Sequence, residues 1–267
     1  EQDKRRPSSL GPRVWYQWIQ LAYLQAQVGD SAAAAQALKD FARDTGEFVA
    51  QLSPADPKRQ LLATPEQSVG TDVQLIEGAS QAALTNAIAV VDRIGSIEMP
   101  AGDLGSTSMK NRIVSANLAV AAQAAIRLGR YAQAEALARR WLAVPPDPQS
   151  EADPRDRASR ANAALTHAIA MQGRTDDARK TLQPALDYYR QEQQAGAHGT
   201  LFRGNFAYAL YVSALTCAAD AAGRAQRDAD LTEASKLIDG ASTQAQQLAD
   251  MREVAGLIAA ARAAPHG

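Results

Sequence analysis

The residues of this chain best suited to chemistry are few: His167, His198, His266 and a single cysteine, Cys217. An imidazole can serve as a general base or a metal ligand near neutral pH, but each role needs partners at a fixed spacing. The sequence has no His-Glu-x-x-His, no Cys-x-x-Cys and no nucleophile elbow. His198 falls in a loop with Gly196 and Gly199, and His266 in the C-terminal tail. Asp176-Asp177 follows Thr175 where a helix should start, and acids there offset the helix dipole. Gly102-Asp-Leu-Gly-Ser106 has the flavour of a phosphate loop, yet it lacks the preceding strand and the Gly-Lys-Ser/Thr ending. One enzymatic reading survives, a hydrolase built on His167 and nearby acids. The expectation is a non-catalytic chain with no metal and no cofactor.

Bulk properties point the same way. The chain has 267 residues, 46% hydrophobic but only 5% aromatic, so alanine supplies much of the apolar surface. Alanine favours helix and lets helices pack closely, which predicts an all-α fold. A formal net charge of −1 leaves no basic excess to hold phosphates, so nucleic acid is not expected as a partner. Lys4-Arg5-Arg6 lies in a polar tail and reads as part of a solvated linker over residues 1–12. One cysteine permits no intrachain disulfide. No apolar run approaches the ~20 residues that a membrane-spanning helix needs, and the charged start does not resemble a secretory signal. The missing initiator methionine suggests a fragment or processed product, compatible with a membrane segment further upstream.

Residues 115–189 read as two copies of one unit, a helix, a glycine turn and a second helix. The copies turn at Gly129 and Gly173, a step of 44 residues (173 − 129), and a proline-rich loop from Pro145 to Pro154 separates them. Small residues recur around each turn: Ala122 and Ala134 in the first copy, Thr166 and Ala178 in the second. Gly29 marks a third copy, with Trp18, Leu21, Ala22 and Ala34 around it, and a second helix from Ser31 to about Gln51. A fourth copy turns at Gly223, with Leu215, Thr216 and Ala219 before it and a turn lengthened over 224–230. Between the first and central copies, Val73, Ile76, Ala79, Ala83, Ala87, Val90, Val91 and Ile94 predict one long amphipathic helix from Thr71 to about Ile94. The last helix, from about Thr243 to Ala263, is polar and reads as a cap.

This pattern resembles the tetratricopeptide repeat, a 34-residue helix-turn-helix unit that stacks into a superhelix. The small residues occupy the family's eighth and twentieth positions, Tyr131 its aromatic after the turn, and Pro146 its closing proline. The second central copy departs: Thr175 replaces the aromatic, Asn162 takes an apolar place, and Pro184 falls inside a helix, where it should kink it. Trp141 stands where the family has a small residue. It either fills space beside alanine-rich neighbours or stays exposed as a partner anchor.

The resemblance implies a concave groove lined by the first helix of each unit. Its lining would include Tyr16, Ile19 and Tyr23 from the first unit, and Gln123 and Ile126 from the next. Arg160 and His167 would follow, then Ser213 and Asp220, with Cys217 between them as a small buried hydrophobe. Ile19 and Tyr23 stand where carboxylate-clamp members need lysine and asparagine, so that role is not expected. A protein, a peptide or a small apolar molecule suits such a wall better. The segments Leu182–Arg190 and Phe206–Leu215 are also similar to repeat-containing tails of proteobacterial signalling proteins, among them transmembrane serine/threonine kinases.

Together these readings predict one all-α helical-repeat domain, a right-handed solenoid with irregular insertions, over residues 13–264. Its expected role is the sensory or partner-binding part of a larger bacterial signalling protein, soluble and on the periplasmic side of a membrane anchor. The alternative is a free-standing scaffold of the periplasm or cytoplasm.

Overall fold

The computed structural model describes residues 11–62, 65–146, 154–196 and 199–264. The fold is an all-α helical-repeat fold, and among the described residues there is no strand. The helices are α1 (Gly11–Gln27), α2 (Ser31–Gln51), α3 (Pro57–Leu61), α4 (Pro65–Ile76), α5 (Ser80–Gly95), α6 (Leu104–Arg127) and α7 (Tyr131–Ala143). They continue with α8 (Pro154–Ala170), α9 (Thr175–Gln194), α10 (Thr200–Leu215), α11 (Ala221–Asp239), α12 (Thr243–Gln246) and α13 (Ala249–Ala263).

One local device recurs at four turns. Gly29, Gly78, Gly129 and Gly173 have φ of +87°, +83°, +70° and +79°, the left-handed region that a side chain would strain. Each glycine N–H donates to the carbonyl three residues back: Ala26, Leu75, Ile126 and Ala170. The N–H that follows reaches the carbonyl five residues back, at Gln25, Gln74, Ala125 and Ile169. This is the Schellman ending, which satisfies the last carbonyls of a helix. Five residues past each glycine stands an alanine, Ala34, Ala83, Ala134 or Ala178, all fully buried. Seven residues before it stands Ala22, Thr71, Ala122 or Thr166, equally buried.

The Gly78 turn overturns the single helix expected from Thr71 to Ile94. Glu77-Gly78-Ala79 breaks it into α4 and α5, and Ala79, expected on the apolar face, is the exposed N-cap of α5. The glycine steps are then 49 (78 − 29), 51 (129 − 78) and 44 (173 − 129) residues. Repeat length therefore varies while the turn is kept.

The unit expected at Gly223 is a second correction. Helix α10 ends at Leu215, and Gly223 lies in the first turn of α11. Asp220 caps α11 by accepting from the Gly223 N–H at 2.7 Å, so residues 224–230 are helix rather than a lengthened turn. An acid at an N-cap satisfies amides that would otherwise be orphaned, and here that outweighs glycine's tendency to end a helix. The polar C-terminal helix is likewise two, α12 and α13. Helix α9 continues through Pro184, which is exposed.

Several other helix ends are closed by a long cation from another element: Arg59 on Leu52 just after α2, Lys110 on Gly95 of α5, Arg157 on Trp141 of α7. Arg179 does the same for Thr216 after α10, and Arg227 for Ala261 of α13. A positive charge there also complements the negative end of the helix dipole.

The chain divides into two compact units, residues 1–124 with 144–151, and 125–143 with 152–267. In the first, Ala22, Ala26, Ala34, Ala37 and Val73 join α1, α2 and α4, while Phe41 and Leu62 gather Trp18, Ile19 and Met109. Trp18 Nε1 donates to Asp44 at 2.8 Å, and Thr71 donates to buried Asn117 at 2.9 Å. In the second unit the core runs from Leu182, Leu186 and Tyr189 through Phe206, Leu210 and Val212 to Leu231, Ile238 and Ile258. The Tyr189 and Phe206 rings stack at 5.4 Å.

Candidate functional site

The most concentrated chemistry lies in the second unit, where α7, α8 and α10 meet. Tyr131 opens α7 directly after the Gly129 turn, His167 lies one turn from the end of α8, and Tyr208 and Tyr211 share one face of α10. The His167 ring is only 5% exposed. It stacks on Tyr131 at 6.5 Å, meets Tyr208 at 5.8 Å and takes Tyr211 edge-on at 5.7 Å. Its Nδ1 is 2.7 Å from the Tyr208 hydroxyl. Tyr131 and Tyr208 remain half-exposed, so the buried imidazole has a wettable tyrosine rim.

Burial pushes the His167 pKa down to about 4, because the interior penalises the imidazolium. Among the described residues no carboxylate pairs with it. The ring is therefore neutral at pH 7 and a weak base. Burial also raises the Tyr211 phenol, with nearby Tyr131 adding to the effect.

Below the tyrosines, Glu135 of α7 joins α7 to the turn after α8. It accepts from Arg139 at 2.8 Å and from Gln172 and Arg174 at 2.9 Å each. Partial burial pushes its carboxyl up, but those hydrogen bonds and the Arg174 charge outweigh it and hold it at about 2.

The expected groove residues fall in varied settings. Tyr16 lies in α1 and its side chain is outside the described residues. Ile19 packs under Phe41 and Leu62, and Tyr23 and Gln123 are half-buried. Ile126 is buried. Arg160 is exposed, paired with Asp156 at 3.2 Å, its guanidinium 5.9 Å over the Trp141 ring. Ser213 is half-buried, and its carbonyl accepts from Thr216 in the turn. Asp220 stands beyond the end of α10 as the α11 cap, not on the face expected for it. Cys217 also lies past the helix, half-buried, its thiol pushed up by burial and by Asp230. His198 and His266 lie outside the described residues.

Two other expectations resolve. Trp141 is 3% exposed and fills space, so the exposed-anchor alternative is overturned. The Gly102–Ser106 segment is the cap of α6: Asp103 accepts from the Ser106 N–H at 2.9 Å, which lowers its carboxyl pKa. Sequence reasoning named His167 and missed its partners Tyr208 and Tyr211. The available signal was their i, i+3 spacing, obscured because the unit was registered on Gly223.

Among the described residues no cluster of three or more histidine, cysteine or acidic groups could hold a metal ion, and no helix is long and apolar enough to cross a membrane. Comparison with known proteins finds no matching family model, no matching curated protein and no matching solved structure.

Proposed function

We propose that this chain is a non-catalytic, tetratricopeptide-like binding domain that takes a peptide segment, and that it is the sensory or partner-binding part of a larger bacterial signalling protein. The carrying observation is the tyrosine rim over His167: two half-exposed rings, Tyr131 and Tyr208, on a base built from α7, α8 and α10. Tyrosines give large, amphipathic contact area at low entropic cost, and they are enriched where proteins bind one another. The repeat grammar of left-handed glycine, buried alanine and small crossing residue supports the tetratricopeptide-like reading. A hydrolase gains little from His167, since a base with a pKa near 4 is far from the neutral range in which proton transfer is efficient.

Selection from a random peptide library on the intact chain tests the binding role. Tyr131→Ala and Tyr208→Ala should each weaken the selected peptides at least roughly tenfold, the scale of one interface anchor. Unchanged affinity in both would reject the site. The signalling assignment is tested by the upstream reading frame, which should encode a kinase or DNA-binding domain and one membrane helix; a signal peptide alone would reject it.

A further inference from the structure

We infer that His167 is an acid-sensitive latch: while neutral it holds α10 to α7 and α8, and its protonation in acid loosens that junction. The geometry is specific. The imidazole is enclosed by rings from two other helices, Tyr131 of α7 and Tyr208 and Tyr211 of α10. Among the described residues these phenol rings are the titratable groups packed against it, and none is a carboxylate. Among the described residues its hydrogen-bond partner is the Tyr208 hydroxyl rather than a carboxylate.

An imidazolium formed there would be a buried cation without an anion, a state proteins avoid by shifting or opening. Opening is available because Tyr131 and Tyr208 already border solvent. Turning the ring outward would separate Tyr208 from α8 and release the contact between α10 and α8.

The direction follows from linkage. The folded pKa of about 4 lies below the unfolded value near 6.5, so the unfolded chain binds more protons between those limits. Stability is complete above pH 6.5 and is lost as pH falls toward 4. Between pH 7.5 and 4.5 this one group should shift the folding equilibrium by on the order of 50- to 100-fold. On the proposed binding reading, acid would also release the peptide; the tests below use the protein alone and do not depend on it.

Denaturant unfolding of the parent and of His167→Gln at pH 7.5 and 4.5 provides the test. The difference between the two proteins cancels other titrating groups, His198 and His266 included. The parent should lose that 50- to 100-fold more than the variant, and equal losses would overturn the latch. Should the glutamine variant not fold, NMR titration of the parent's histidine side chains decides. One imidazole titrating well below 6, its transition accompanied by shifts in α7, α8 and α10 backbone signals, supports the latch. Three imidazoles titrating near 6.5 overturn it.

Discussion

At the scale of single residues, backbone conformation and paired charge do most of the specifying. Gly78 has a left-handed φ of +83°, and an added methyl would meet no atom within 4 Å. Gly78→Ala should therefore cost about 1 kcal/mol from backbone strain alone. Gly46 sits inside α2 with equally open surroundings, so Gly46→Ala should stabilise by roughly 0.5–1 kcal/mol. Thermal unfolding of both variants checks the opposite signs. Glu135 carries a pH signature. Its folded carboxyl at about 2 lies below the ordinary value of 4.5, so its contribution is present above pH 4.5 and lost as pH falls through 2. Arg139 and Arg174 are 57% and 42% exposed, which keeps the contribution small. Glu135→Gln should cost about 1 kcal/mol at pH 7 and almost nothing near pH 2, read from urea midpoints at each pH.

At the scale of elements, two ways of ending a helix divide the labour. Helices α1, α4, α6 and α8 close on glycine, whereas α2, α5, α7 and α10 take an arginine or lysine from elsewhere at their ends. Only the first kind has a local signature in sequence, because the cation comes from 7 residues away at Arg59 and 37 at Arg179. That asymmetry explains which boundaries were legible. Helix α2 runs from Ser31 to Gln51 as periodicity predicts, while the unit expected at Gly223 places Thr216 and Ala219 in a helix that ends at Leu215, its cap on Thr216 coming from α9. Pro184 offers a test at this scale. It lies on the exposed face of α9, where its missing N–H leaves one helical bond unmade. Pro184→Ala should raise stability by about 1–2 kcal/mol, the restored bond being partly offset by a freer unfolded chain. A loss of stability in chemical denaturation would show instead that the proline's shape is used.

At the scale of the molecule, each unit has its own buried apolar clusters. In the first, among the described residues, separate clusters form around Ala22 and Ala34, around Phe41 and Leu62, and around Leu61 and Ile94. In the second, a larger cluster runs from α8 to α13 and carries stacked aromatics, Tyr189 on Phe206. Protection against exchange follows buried apolar contact. Amides of α8 and α10 should therefore exchange slowest in native-state hydrogen exchange, and those of short α3 and α12 soonest. Slower exchange in α3 than in α10 would contradict that distribution.

Local sequence by itself determined the helical class, the glycine turns at 29, 129 and 173, and the burial of Ala34, Ala134 and Ala178. These depend on backbone freedom, helix propensity and side-chain size, which neighbours within a few residues express. It also marked His167 as a residue to watch. Tertiary structure decided what His167 is. Its environment comes from Tyr131, 36 residues before it (167 − 131), and from Tyr208, 41 residues after it. Burial between those helices, rather than any motif, sets its charge state. The same holds for Gly78 and Gly223: one ends a helix and the other lies inside one, because the helix-ending carbonyls were free to pair at the first and an aspartate captured the amide at the second.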